Sequence, residues 1–287
     1  MTVFPAPAPV RARIEIELGD IRVLAADVDE AVVDVVPTDP AVEKDHKAAE
    51  QTRATLVDGV LEVAGPRRPA IIGPGRKSGS VQVSVRIPAG SALEARTAMG
   101  HIAVEGPLAE VGARTSMGDV RIDDAASADI RSGLGDVQAG SVAGDLRAST
   151  GSGEVRIARV DGQALVKNSN GPTWIGSTGA SARIKAANGD VRVDRAHGDV
   201  MATSANGSLA VGSAERGSLM LHTALGAIVV GVPYGTAARL DLRTSYGAVR
   251  NSLDPAASPA EGELTLEVDA QTGAGDIDVV RAFDDVA

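Results

Sequence analysis

Apolar and polar residues alternate over short runs along the middle of this chain, and most of these runs open on a glycine. The phrases Gly118-Asp-Val-Arg-Ile, Gly153-Glu-Val-Arg-Ile, Gly189-Asp-Val-Arg-Val, Gly207-Ser-Leu-Ala-Val and Gly226-Ala-Ile-Val-Val put apolar side chains two and four residues after the glycine. That period of two predicts strands with one face buried. The opening glycines are Gly100, Gly118, Gly135, Gly153, Gly171, Gly189, Gly207, Gly226 and Gly247, at intervals of 18, 17, 18, 18, 18, 18, 19 and 21 residues. Such an interval marks a repeat architecture. Gly144, Gly162 and Gly198, each nine residues after a repeat glycine, open equivalent phrases. A coil of about eighteen residues, with a nine-residue half-repeat, thus holds two short strands and two tight turns. The predicted fold is all-β, a two-sided parallel β-solenoid (β-helix) whose coils stack about 4.8 Å apart across a thin core.

Alternation also predicts the core columns. One runs Ile102, Val120, Val137, Val155, Val191, Leu209, Ile228, Val249, interrupted by Thr173. A second runs Ala95, Ala113, Ile130, Ala148, Val166, Ile184, Ala202, Leu221, Leu242. A third, Thr97, Thr115, Ser132, Thr150, Asn168, Ser204, Thr223, Thr244, reads as a hydroxyl and amide ladder bonding rungs above and below. Small residues from Ala98 to Ser245 recur where the strand turns, and Asn-Gly pairs at Asn170, Asn188 and Asn206 are expected to supply positive φ there.

The flanks are less regular. Residues 1–9 read as a disordered tail and 10–92 as a strand-rich part, out of register with the coil, that caps it against edge-on aggregation. Residues 41–54 read as a loop or short helix. Residues 93–252 form the regular repeats, and 253–287 a loop, at Leu253–Gly262, followed by an irregular last coil. With no linker in view, one continuous domain is expected.

The composition fits a repeat. Aromatic residues make up 2% of the chain, so small aliphatic side chains must pack in a close, regular array. The net charge of −10 argues against nucleic acid and anionic membrane as partners. Residues 93–251 hold sixteen Lys/Arg and sixteen Asp/Glu, so the acidic excess lies in the flanks. The first residues carry neither a basic nor an apolar segment, and no apolar stretch is long enough to span a bilayer. A cytoplasmic location without membrane insertion is expected.

The run Ser80-Val-Gln-Val-Ser-Val-Arg-Ile-Pro-Ala-Gly resembles a bacterial family of domains of unknown function known as "putative adhesin". So do Glu94-Ala-Arg-Thr-Ala-Met-Gly, the recurring Thr/Ser-x-x-Gly-Asp-Val-x-Val coil and the closing Thr272-Gly-Ala-Gly-Asp-Ile-Asp-Val. The resemblance covers roughly residues 10–280 and implies a β-solenoid fold, with no catalytic residues to carry over.

Candidate chemistry is sparse. The Gly/Asp half-repeat invites comparison with calcium β-rolls, but those need paired glycines before the aspartate. Here Asp119, Asp136, Asp145, Asp190 and Asp199 follow one glycine directly and read as turn formers bonding their own backbone. His46, His101, His197 and His222 show no metal-ligand spacing. Gly73-Pro-Gly-Arg-Lys-Ser-Gly has the letters of a phosphate loop in the wrong order and reads as an ordinary loop. No cofactor is implied.

Two outward basic columns remain. One is Arg96, Arg114, Arg131, Lys167, Lys185, His222, Arg243; the other is Arg121, Arg156, Arg192, Arg250, with Trp174 set between Arg156 and Arg192. Arg121, Arg156, Trp174 and Arg192 are the candidate interaction face. Turn carboxylates (Asp119, Asp136, Glu154, Asp190) are expected to neutralise these cations, and Trp174 to stack on a guanidinium. A polysaccharide-active β-helix enzyme would need aromatic sugar platforms and paired outward carboxylates. The chain has only Trp174, Tyr234, Tyr246, Phe4 and Phe283 as aromatics. The expected function is a non-catalytic scaffold presenting strand faces to a protein partner or to itself, with a surface adhesin and such an enzyme as alternatives.

Overall fold

A computed structural model describes residues 1–66, 79–254 and 264–282. The Gly73–Gly79 loop lies outside the described residues except for Gly79, as does most of the loop after Leu253, and so does Phe283. The chain divides into two compact units, Met1–Gly140 and Ser141–Ala287. Both are built of parallel β-solenoid rungs, as the periodicity predicts.

In the first unit, Ile102–Met117 and Val120–Leu134 run parallel, with Ile102 beside Val120 and Ala113 beside Ile130, the register shifting by one residue between Ile122 and Asp124. The earlier strands join the same stack. Arg11–Glu15 and Ile21–Ala26 form a complete rung, with Ile14 beside Ala95 and Ile21 beside Ile102. The expectation that residues 10–92 fall out of register is therefore corrected. Gly19-Asp-Ile-Arg-Val is itself a repeat phrase, set apart from the others by an insertion that starts after Ala26. That insertion returns as a further rung, Val60–Ala64 with Val81–Pro88, laid outside the first: Val63 flanks Ile14 and Val83 flanks Ile21. The chain's first rung is thus sandwiched between two later ones.

Antiparallel strands close this end. Arg53–Val57 pairs with Val60–Ala64, and Glu30–Pro37 pairs with Val81–Pro88. Residues 1–9, expected to be a disordered tail, contain the strand Thr2–Pro5, antiparallel to Glu30–Pro37. An edge strand tolerates proline because its outer N–H needs no partner, and the N-terminal ammonium meets Asp34 at 3.3 Å. Residues Glu43–Gln51 form the helix. Its buried Asp45 accepts the Ser80 N–H at 2.9 Å and the Asp39 N–H at 3.2 Å, which pins the helix against the rung.

In the second unit one sheet stacks Leu146–Ser152, Ala164–Asn170, Ala182–Asn188, Val200–Asn206 and Gly217–Leu225. The facing sheet stacks Val155–Val160, Thr173–Thr178, Val191–Ala196, Leu209–Ala214 and Ile228–Val232. Val155, Thr173, Val191, Leu209 and Ile228 form one buried column. Where Thr173 breaks the aliphatic run, buried Asn168 donates to its hydroxyl at 3.4 Å and to the Gly153 and Gly171 carbonyls at 3.0 and 2.9 Å.

The last residues also depart from the expected order. Leu264–Ala274 and Ile277–Arg281 are a regular rung, not an irregular coil, and they insert between Gly217–Leu225/Ile228–Val232 and Thr236–Tyr246/Val249–Asn251. Ile277 therefore separates Ile228 from Val249 in the core column. Val249 ends up 45% exposed on the outermost rung.

Two devices hold rung to rung. The repeat glycines have positive φ, 138° at Gly189, and a Cβ there would sit 2.0 Å from the Gly171 carbonyl oxygen of the neighbouring rung. Glycine is needed for that approach as much as for its dihedral. The aspartate that follows does not bond its own backbone as expected. Asp190 accepts the Ser208 N–H at 2.8 Å, Asp145 that of Gln163 at 2.9 Å and Asp199 that of Ser218 at 2.9 Å, each one rung on. The hydroxyl column works similarly: Thr115 donates to the Gly100 carbonyl, Ser132 to Gly118 and Thr223 to Gly207. Asn170, Asn188 and Asn206 take no positive φ, which falls on the following glycines. Their side chains instead form a ladder, Asn206 donating to Asn188 at 3.0 Å and Asn188 to Asn170 at 2.9 Å.

Candidate functional site

The structure brings three of the four expected face residues together. Arg156, Trp174 and Arg192 are side by side on adjacent strands of the second unit. Arg121 belongs to the first unit, where it pairs with Asp123 at 3.5 Å. The Arg156 guanidinium lies 4.9 Å from the Trp174 ring centre, a cation–π contact worth about a kcal/mol. Arg192 does not stack on Trp174. Both are tied to Asp194, which accepts the Trp174 indole N–H at 2.9 Å and Arg192 Nε at 2.6 Å. Arg156 is held by Glu154 at 2.8 Å. This face satisfies itself.

Of the expected turn carboxylates, Glu154 does neutralise Arg156, two residues away. The other partners on this side, also at two-residue spacing, are not those expected: Arg159 pairs with Asp161 and Arg192 with Asp194. In the first unit Arg131 pairs with Asp129 at 3.0 Å, and Arg114 reaches the same carboxylate at 3.2 Å. Burial opposes the ionised form of Asp129, yet hydrogen bonds and charge from Arg131 and Arg114 hold its carboxyl below the usual range.

The opposite sheet of the second unit behaves differently. Arg147, Leu165, Arg183, Met201 and Met220 align in register and line a groove of about 500 Å³. Leu165, Met201 and Met220 are half-buried along it and the two arginines are exposed. Lys167 and Lys185 stand one outward position further along two of the strands. Among the described residues, none of these four cations has an ion pair or a hydrogen-bonded carboxylate. Asp145, the one carboxylate two residues from any of them, has Oδ1 engaged by the Gln163 N–H. The cations Arg147 and Arg183 were legible as outward residues after Gly144 and Ala180, but what sets them apart is that no carboxylate pairs with them: Asp145 is turned to the Gln163 N–H, and Arg183 has no carboxylate at two-residue spacing.

Among the described residues, no group of three or more His, Cys, Asp or Glu side chains could hold a metal ion. With the turn aspartates spent on N–H groups of the next rung, adding millimolar calcium to chelated protein is expected to leave the melting temperature unchanged. A rise of many degrees in a thermal melt would contradict this. None of the described helices is long and apolar enough to cross a membrane.

The sequence pattern of the Toastrack DUF4097 family matches residues 12–287. The chain belongs to that family. Solved structures similar to this Toastrack chain include a "putative adhesin" from Parabacteroides distasonis, 13% identical, covering 96% of this chain and 95% of that one, with a TM-score of 0.34. A "putative adhesin" from Bacteroides fragilis is 10% identical, with coverages of 97% and 95% and a TM-score of 0.39. A "putative lipid binding protein" from Parabacteroides distasonis is 8% identical, with coverages of 96% and 95% and a TM-score of 0.36. Likenesses of this degree transfer no function to the Toastrack chain. No curated protein matches it.

Proposed function

We propose that this chain is a non-catalytic scaffold whose solenoid presents the groove of the second unit to an acidic protein partner. The observation that carries the reading is the set of uncompensated cations, Arg147, Lys167, Arg183 and Lys185, on one sheet of a chain whose net charge is −10. Strands two apart in the sheet set Arg147 and Arg183 roughly 10 Å from each other. Carboxylates of an extended polypeptide could meet both, while its apolar side chains rest on Leu165, Met201 and Met220. Methionine adapts its shape to many apolar contacts, which suits a surface that grips peptide. A hydrated polyanion would leave that apolar floor unused.

A fluorescent peptide alternating glutamate and leucine, titrated beside heparin, tests this. The peptide is expected to bind more tightly than heparin at physiological salt. Arg147→Glu with Arg183→Glu should weaken it at least tenfold, while Arg156→Glu with Arg192→Glu leaves it unchanged. Tighter heparin binding, or a groove variant that binds like wild type, would overturn the reading.

A further inference from the structure

Among the described residues, the outermost rung of the second unit is paired on one side only. Thr236–Tyr246 is hydrogen-bonded on one side to Leu264–Ala274, and Val249–Asn251 to Ile277–Arg281. Among the described residues, no strand pairs with the other side of either. In a parallel ladder, alternate residues turn their N–H and C=O groups to opposite edges, so the free edge offers a row of unmet donors and acceptors. Among the described residues nothing covers the core there either. One rung inward, Val268, Ala270 and Ile277 are fully buried, whereas Leu240 and Leu242 are only half-buried. The first unit closes its corresponding edge with antiparallel strands.

We propose that Thr236–Tyr246 pairs antiparallel with the same strand of a second copy of this chain, about a two-fold axis through Leu240. The order of its side chains selects this occupant and this register. Leu240 and Leu242 point to the core, and Arg239, Asp241 and Arg243 point outward, so only registers centred on a residue keep core against core. Centring on Leu240 sets Arg239 opposite the partner's Asp241, and Asp241 opposite the partner's Arg239. It also sets Leu240 on its own mate, Leu242 on the partner's Ala238 and Thr236 on the partner's Thr244. Centring on Asp241 would instead oppose Arg239 to Arg243 twice and Asp241 to itself, and like charges directly opposite are destabilising. Centring on Leu242 restores charge pairing but sets Leu240 against Thr244, leaving its apolar surface poorly matched. Arg239 is 87% exposed and its ion pair with Glu267 is long, at 3.8 Å, while Asp241 is held by Arg243 on its own strand and would share its carboxylate with the partner's Arg239.

A self-complementary edge of this kind closes on itself, because one two-fold operation satisfies both copies. It finishes the sheet and the apolar core together, and it stops the edge from recruiting other strands.

The chain has no cysteine, so a single introduced one can bond only to its mate. Opposed Cβ atoms of an antiparallel pair lie about 4.5–5.5 Å apart, close to disulfide reach. Mild oxidation of Leu240→Cys should give a covalent dimer, while Leu242→Cys stays uncross-linked. In sedimentation velocity at tens of micromolar, wild type is expected to run as a dimer and Arg239→Asp as a monomer. Adding Asp241→Arg to Arg239→Asp should restore the dimer, with circular dichroism showing all variants folded. A monomeric wild type, cross-linking through Leu242→Cys in place of Leu240→Cys, or an Arg239→Asp protein that still dimerises would overturn the proposal. None of these residues lines the peptide groove, so a negative result here leaves the proposed function standing, and the peptide titration can fail independently.

Discussion

Replacing Val155 by aspartate is expected to destabilise the protein by on the order of 5 kcal/mol. Val155 is fully buried and lies in register with Thr173, in a column of small side chains. An aspartate there would either bury a charge without a counter-ion or take up a proton, and both cost free energy that the native valine does not. The Thr173 hydroxyl accepts from Asn168, and its remaining O–H is a single neutral donor, too little to offset a buried carboxylate. Globular domains have about 5–15 kcal/mol of stability to lose, so much of the transition should move. Urea denaturation followed by circular dichroism measures the shift. A Val155→Asp protein with the wild-type midpoint would contradict the core assignment. In a stack where each rung touches only its neighbours, the damage should start locally. Early proteolytic cleavage near residue 155 would show this.

Gly189→Ala should cost about 3 kcal/mol, from backbone strain at positive φ together with steric overlap. The added Cβ would fall 2.0 Å from the Gly171 carbonyl oxygen, so two rungs must part or the turn must rebuild. Parting them would also weaken the Gly171 N–H bond to the Asn188 carbonyl, 2.8 Å, which joins the same two rungs. Gly59→Ala separates the two causes. Gly59 also has positive φ, 75°, but a Cβ there meets nothing within 4 Å. It should cost only about 1 kcal/mol. Equal losses in the two variants, read from denaturation midpoints, would show that the dihedral alone matters and that rung contact does not.

The repeat was legible because its signals are local. A strand needs alternation, and a close rung-to-rung turn needs glycine; both constraints act within a few residues and recur wherever the chain passes the same corner. The columns through Val155, Val191 and Ile184 could therefore be read from spacing alone. The hydroxyl ladder could be read as well, although its partners are glycine carbonyls and not other side chains. The charge balance was legible in outline only. Arg156 is neutralised by the expected Glu154, but Arg192 by Asp194 at two-residue spacing, while Asp190 is spent on the Ser208 N–H.

Tertiary structure alone decided which rung lies beside which. Any strand with the same inward and outward pattern fits a slot in a parallel stack, so periodicity cannot say that Gly19-Asp-Ile-Arg-Val sits under Val81–Pro88, or that Ile277 divides Ile228 from Val249. Those choices depend on closing exposed edges with segments far apart in the chain, whose pairing has no local signature. The same holds for the groove: Arg147 and Arg183 look like any other outward arginines until the stack shows that no carboxylate reaches them. The sequence by itself determined the rung, its core and its corner chemistry, because those are nearest-neighbour physics. The order of the terminal rungs and the cations left without ion pairs came only from the assembled fold, because they depend on long-range pairing.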